Sequence, residues 1–262
     1  MRSESPLHVV QLTDIHLCQP PGDLKGSGVN TDESLVRVLA AIAAQASPID
    51  LILATGDLAQ DPCAEVYQRL RQRLQQFDLP VLCLPGNHDE PALMVQHLVG
   101  GHLHMPPAWQ AGPWQVVLLD SRVPNQIGGA LAPAAYQQLA QQLAEGAEHV
   151  LICLHHHPVP TGNAVMDQWM LAEPATFFNT LADYPQVRGV LWGHIHREFH
   201  RRADGRELIG SPSTCIQFSP LGGVGDVDVA TLPPAYRRLQ LWPDGRITTE
   251  VVYVPAVSAD PG

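Results

Sequence analysis

Five apolar runs in this chain each end in a residue that can ligate a metal ion, and that repetition limits the fold more than any other feature. Leu7 to Leu12 runs into Asp14 and His16, and Leu51 to Ala54 into Gly56-Asp57. Val81 to Leu84 stops at Pro85 and continues as Gly86-Asn87-His88-Asp89. Val150 to Leu154 empties into His155-His156-His157, and Val190 to Trp192 into Gly193-His194-Ile195-His196. Short apolar runs bounded by turn residues read as buried strands. In sheets whose strands alternate with helices, the carboxyl ends of the strands form the crevice where ligands bind. Five segments therefore deliver polar groups to one edge. Residues two apart on an extended segment point to the same side, so Asp14 can converge with His16, and His194 with His196.

Between these runs lie helical patterns. Leu35, Val38, Leu39, Ile42, Ala43 and Ala46 form one apolar stripe, with Thr31 as the expected N-cap and Asp32 and Glu33 in the first turn. Val66, Leu70, Leu74 and Phe77 mark a second helix. A strand at Val116 to Leu119, a helix around Tyr136, Leu139 and Leu143, and a short helix near Phe177 to Leu181 follow. Asp204-Gly205 and Asp244-Gly245 each separate two strand-like runs, which is hairpin chemistry. The C-terminal third is thus expected to be mostly antiparallel, with a long Pro/Gly loop from Gly210 to Tyr236. No linker divides the chain. It reads as one α/β domain over 1–262, with a metal-binding core at 7–200 and an antiparallel part at 201–254.

As a ligand set, Asp14, Asp57, the Asn87 amide oxygen, His16, His155, His194 and His196 are too many for one tetrahedral zinc and contain no thiolate. Shared between two ions, with one carboxylate bridging, they give each ion about four protein ligands. Oxygen and imidazole donors suit Mn, Fe, Co or Zn. His88 can carry a proton, and Asp89 is expected to orient its ring from behind. Taken singly, each motif is weak, and strand-end Asp and His are common; their joint occurrence in this order is the signal.

Composition narrows the substrate. The formal net charge is −11, from 26 acidic against 15 basic residues, which opposes a polyanionic partner such as nucleic acid. A small anion held by metal remains compatible. The five cysteines are odd in number and never form a CxxC pair, which suits a reducing compartment. The first six residues lack an apolar signal core, and no run reaches membrane-spanning length. A cytoplasmic protein without a membrane partner is expected, and its oligomeric state is not legible.

The series Asp14-x-His16, Gly56-Asp57, Gly86-Asn87-His88-Asp89, Ile152-x-x-His155 and Gly193-His194-x-His196 resembles the calcineurin-like metallophosphoesterases. Thr55 to Asp61, His155-His156-His157-Pro158-x-Pro160 and Ser211 to Phe218 extend the likeness to the class III bacterial 3′,5′-cyclic-AMP phosphodiesterases. The resemblance runs from about Leu7 to Val252 and implies a four-layer α/β/β/α sandwich of two mixed sheets flanked by helices. It further implies Asp14, His16, Asp57 and His196 on one ion, and Asp57, Asn87, His155 and His194 on the other, with His156 an alternative to His155. The ions implied are Fe or Mn, with Zn or Co as substitutes. His16, Asp57, Asn87, His88 and His196 would border the phosphate, and His88 would assist the leaving oxygen. The implied activity is hydrolysis of 3′,5′-cyclic AMP to 5′-AMP by a hydroxide bridging the two ions. Two other readings stay open: a general phosphodiesterase for glycerophosphodiesters or 2′,3′-cyclic nucleotides, and a non-catalytic scaffold, which the complete ligand set disfavours. Trp169, Phe199 and Phe218 are candidates for base stacking, and the Gly22 to Asn30 loop for shaping substrate approach.

Overall fold

In strand β1 (Leu7–Leu12), Val9 joins one apolar layer while Val10 and Leu12 join another. That alternation is what a strand covered on both faces produces. It recurs in β2 (Leu51–Thr55), where Leu51 and Leu53 face one way and Ile52 and Ala54 the other, and in β7 (His149–Cys153) and β8 (Val187–Trp192). The computed structural model describes residues 5–24, 26–218 and 232–255.

Two six-stranded sheets result. The first runs β12-β11-β1-β2-β3-β4, using β3 (Val81–Leu84), β4 (Leu103–His104), β11 (Ala235–Leu241) and β12 (Ile247–Tyr253). The second runs β5-β6-β7-β8-β10-β9, with β5 (Ala108–Ala111), β6 (Trp114–Leu118), β9 (Phe199–Ala203) and β10 (Arg206–Gly210). β1 to β4 are parallel, as are β6, β7, β8 and β10. β11, β12, β5 and β9 pair antiparallel, so both sheets are mixed.

The facing layers share one core, in which Leu53, Leu82 and Leu84 meet Trp114, Leu151, Leu191 and Ile209. Outside the first sheet lie α1 (Thr31–Ala44) and α2 (Ala64–Leu74), burying Leu35, Val38, Leu39 and Ile42, and Val66, Tyr67, Leu70 and Leu74. A short α3 (Pro91–Leu93) continues as a wide π turn through Met94–Leu98. Outside the second sheet lie α4 (Pro133–Ala144) and α5 (Pro174–Leu181), packed through Leu139, Leu143, Phe177 and Leu181. The four-layer sandwich expected from the sequence is the fold observed.

Three local expectations change. The cap of α1 is Asn30, not Thr31: its Oδ1 accepts the N–H groups of Asp32 at 3.1 Å and Glu33 at 3.2 Å. Thr31 occupies the first helical position, where it is buried. The strand expected at Val116 to Leu119 begins earlier, at Trp114, whose indole N–H donates to Trp242 O at 2.8 Å. The C-terminal third is also less antiparallel than its two hairpins suggest, because β10 adds to β8 in parallel while β11 and β12 close the other sheet. Of the Gly210 to Tyr236 loop, residues 219–231 lie outside the described residues, as does Lys25 in the Gly22 to Asn30 loop.

Candidate metal centre

All five ligand-bearing strand ends, from β1, β2, β3, β7 and β8, open at the same edge of the sandwich. The chain turns there with uncommon backbone geometry. Asp14, His16, Asp57, His194 and His196 have φ of 53°, 50°, 51°, 66° and 46°. They are five of the eight non-glycine residues with positive φ among the described residues. Such a conformation costs an L-residue about 1–2 kcal/mol, and clusters of it mark sites where side chains are aimed at a ligand. Gly86 is required for a different reason. A Cβ there would stand 2.2 Å from Asp57 Oδ1, so only glycine lets the β3 turn pass the central carboxylate.

Asp57 lies at the middle. Its Oδ2 is 3.3 Å from His155 Nε2 and 3.6 Å from His16 Nε2, while Oδ1 accepts the His88 backbone N–H at 2.9 Å. Asp14 Oδ1 is 3.3 Å from His196 Nε2 and 3.9 Å from His155 Nε2, and the His194 N–H donates to both Asp14 oxygens at 3.0 Å. Neighbouring imidazoles hold Asp14 and Asp57 below the usual carboxylate range despite the opposing effect of burial.

The outer nitrogens fix the ring tautomers. His155 Nδ1 lies 2.9 Å from Thr55 O, His196 Nδ1 2.8 Å from Ile216 O, and His16 Nδ1 3.1 Å from Gln60 Oε1. Carbonyl oxygens only accept, so each Nδ1 carries a proton and each Nε2 faces inward. Burial opposes the charged form of His155, but Asp57, Asp14 and the Thr55 carbonyl raise its pKa to about 9; burial takes His16 down to about 3 and His194 well below the usual range.

This arrangement fits divalent cations. His16 Nε2 and His196 Nε2 are 3.1 Å apart with both outer nitrogens already donating, which sets two lone pairs against each other unless a positive charge sits beside them. Asn87 Oδ1, His155 Nε2 and His194 Nε2 are buried without a hydrogen-bond partner. Buried polar atoms are rarely left so, and these three belong to one expected ion. Asp14 with His16 and His196, and Asp14 with Asp57 and His155, are compact enough to share an ion.

His155 and His156 are separated by their hydrogen bonds. Both nitrogens of His156 are taken, Nδ1 by Ser121 Oγ at 2.8 Å and Nε2 by Ile127 O at 3.0 Å, although its ring lies among the ligand-type histidines. His155 instead turns its inner nitrogen toward the carboxylates of Asp57 and Asp14, at 3.3 and 3.9 Å. His157 is buried with its ring stacked on His194 at 5.7 Å.

Asp89 does not orient His88. Its carboxylate accepts the backbone N–H groups of Leu58 (3.1 Å), Ala59 (3.0 Å) and Gly86 (2.9 Å) and the Tyr67 hydroxyl (3.0 Å), and no bond between it and the His88 ring occurs. It stitches the turn after β2 to the turn after β3. Burial and the charge of Asp57 push it up to about 6. The ring of His88 instead stands edge-on to His16, with centroids 5.0 Å apart.

Two of the three stacking candidates have ring partners in the protein. Phe218 lies flat on His196, centroids 4.1 Å apart at 3°, and Phe199 packs on Trp192 at 5.4 Å. Trp169 presents its backbone to Gly128. Leu24 and Val29 of the Gly22 to Asn30 loop pack with Ile216 and Phe218, next to His196. Sequence reasoning missed the supports: Gln60, Thr55, Tyr67 and the Ile216 carbonyl. Gln60 had a signal, since it lies in the Thr55 to Asp61 stretch that carried the resemblance.

Comparison with known proteins agrees in fold and family. The family described as calcineurin-like phosphoesterase matches residues 7–198. The chain is 39% identical over 256 residues to the 3′,5′-cyclic adenosine monophosphate phosphodiesterase CpdA of Pseudomonas aeruginosa, covering 97% of this chain and 93% of that one. It is 38% identical over 253 residues to the enzyme of the same name from Escherichia coli K12, covering 96% and 91%. A dimetal phosphatase from Danio rerio superposes with a TM-score of 0.66 at 12% identity, over 96% of this chain and all (100%) of that one, which is a likeness of fold.

Proposed function

The chain belongs to the calcineurin-like phosphoesterase family, and from that premise we propose that it hydrolyses 3′,5′-cyclic AMP to 5′-AMP. The observation that carries the reaction class is the central carboxylate of Asp57, within 3.6 Å of the inner nitrogens of both His16 and His155. It suits a bridge between two ions. Asp14, His16 and His196 would hold one with it, and Asn87, His155 and His194 the other. The donor set suits Fe or Mn, with Zn or Co as substitutes. Such a pair supplies Lewis-acid polarisation of the phosphate and a nucleophile near neutral pH.

The chain's own residues do the rest. The Thr55, Ile216 and Gln60 oxygens keep three imidazoles in the ligating tautomer, and the two backbone stitches at Asp14 and Asp89 keep the turns from drifting. His88 is the proton carrier. It hydrogen-bonds the phosphate and protonates the departing 3′-oxygen, help worth about 10²–10⁴-fold. Cyclic AMP as the substrate rests on relatives matched over nearly their whole length. A negative protein that binds a small anion through metal needs no basic groove. Five free cysteines agree with a reducing compartment, and we place the protein in the cytoplasm. Among the described residues no helix is long and apolar enough to cross a membrane.

Chromatography of products from metal-loaded protein tests the reading, with 3′,5′-cyclic AMP, 2′,3′-cyclic AMP, glycerophosphocholine and an aryl diester offered in parallel. The expected product is 5′-AMP, with no further loss of phosphate. Intact 3′,5′-cyclic AMP beside rapid cleavage of the other diesters would replace this reading with a general phosphodiesterase.

A further inference from the structure

We propose that the loop of residues 120–129 is the wall that meets the organic group of the phosphodiester, with Ile127 as its specificity-determining residue. This rests on the diester hydrolysis proposed above and adds the part of the site that the metal ligands leave undefined.

The loop leaves β6 in the second sheet and is fastened at two points. At one, the His156 Nε2–H donates to the Ile127 carbonyl at 3.0 Å, so Nδ1 is the acceptor for the Ser121 hydroxyl at 2.8 Å. The Ser121 oxygen in turn accepts the His156 backbone N–H at 3.3 Å. The His156 ring lies 5.0 Å from the ring of His155 and 4.7 Å from that of His194, so the loop is anchored one ring away from two candidate ligands. A Cβ on Gly129 would come within 2.3 Å of His156, which shows how closely the loop is drawn onto it. At the other point, Arg122 donates to the Glu90 carboxylate at 2.9 Å. Glu90 directly follows Asn87-His88-Asp89 in the first sheet. The loop thus spans the two sheets beside the edge where the site opens.

Between these anchors the chain turns outward, and Ile127 is 48% exposed. Single exposed apolar residues are ordinary. Position distinguishes this one: Val36, Val95 and Leu232, the other large exposed apolar residues among those described, do not lie on a segment bonded to the histidine cluster. Phe199 is packed on Trp192 and one face of Phe218 lies on His196, whereas Ile127 offers an exposed apolar side chain on the anchored loop. A flat, weakly polar group such as a purine is the chemistry it would take, held by contact rather than by hydrogen bonds.

The test compares metal-loaded wild type, Ile127→Asp and Ile127→Val on 3′,5′-cyclic AMP, bis(p-nitrophenyl) phosphate and methyl p-nitrophenyl phosphate. For Ile127→Asp, kcat/KM for each bulky diester relative to the methyl ester should fall about fivefold, the worth of a few tens of Å² of apolar contact, and the loss should appear in KM. Ile127→Val should restore most of the ratio. Because the side chain is half in water, the substitution leaves folding intact. A ratio for Ile127→Asp within twofold of the wild type, or a loss confined to kcat, overturns the wall. If the wild type cleaves both aryl diesters and not cyclic AMP, the substrate reading falls, and the bis-to-methyl ratio alone decides the wall.

Discussion

The Nδ1–H of His155 is donated to the carbonyl of Thr55 at 2.9 Å, which turns Nε2 toward Asp57 Oδ2, 3.3 Å away. A histidine of the second sheet is thereby aimed by the last residue of β2 in the first, directly behind the carboxylate it would share an ion with. Position, tautomer and partner are all set by one hydrogen bond across the layers.

If Asp57 bridges two ions, Asp57→Ala should lose metal as well as activity. Elemental analysis of the purified variant should find less than one ion per chain where the wild type holds two. Two tightly held ions in an active Asp57→Ala protein would remove the bridge.

His88 offers a different signature. Its ring stands edge-on to His16, and with the proton-carrying role proposed for it His88→Ala should keep fold and metal while kcat on cyclic AMP falls by about 10²–10⁴. On a diester with a p-nitrophenolate leaving group, which needs little protonation, the loss should be much smaller. Equal losses on both would leave His88 only a positioning part.

Asp89 separates stability from chemistry. Removing its carboxylate leaves three backbone N–H groups and the Tyr67 hydroxyl without their acceptor in a buried place. Since each stranded donor costs about 1–3 kcal/mol, Asp89→Ala should lose at least about 3 kcal/mol in denaturant unfolding of metal-free protein. Tyr67→Phe should lose about 1–3 kcal/mol, because it removes the donor to Asp89 and strands the Glu90 backbone N–H that the hydroxyl accepts at 2.9 Å. Native stability in Asp89→Ala, with a kinetic defect matching that of His88→Ala, would restore the orienting role read from the sequence.

That misreading shows where sequence legibility ends. Val81–Leu84 was readable to the residue because burial on both faces leaves an uninterrupted apolar run, and Leu7–Leu12 was readable although His8 and Gln11 interrupt its apolar residues. The convergence of the candidate ligands was readable because strand ends in an α/β sheet share an edge. Adjacency misled for Asp89: it follows His88 in the chain, but after a tight turn its carboxylate faces back under Gly86. Asn30 and Thr31 are both good caps, and only the helical φ/ψ of Thr31 separates them. The triplet His155-His156-His157 carries no internal mark of register, whereas Ser121 and Ile127, remote in sequence, occupy His156. Hydrogen bonds of long sequence separation place Asp89 and His156, and no local pattern encodes them; the cap of α1 rests on local bonds from Asp32 and Glu33.

Metal removal should be felt in stability at the same turns. Without ions, Asn87 Oδ1, His155 Nε2 and His194 Nε2 lack partners, the lone pairs of His16 and His196 oppose each other, and five residues hold positive φ. Ligands that bind only the folded state add RT ln(1 + [L]/Kd), about 2.7 kcal/mol at a hundredfold excess over Kd. For a domain of this size that corresponds to a rise in Tm of roughly 5–10 °C on loading chelated protein with Mn or Fe. The gain should be local in origin. Hydrogen exchange should quicken on chelation at residues 13–17, 56–58 and 193–197, where the strained turns lie, and stay slow in β2 and β7, whose residues remain buried in the shared core. An unchanged Tm together with unchanged exchange at those turns would mean that the cluster is held by packing alone, and that the unpartnered nitrogens are not waiting for a cation.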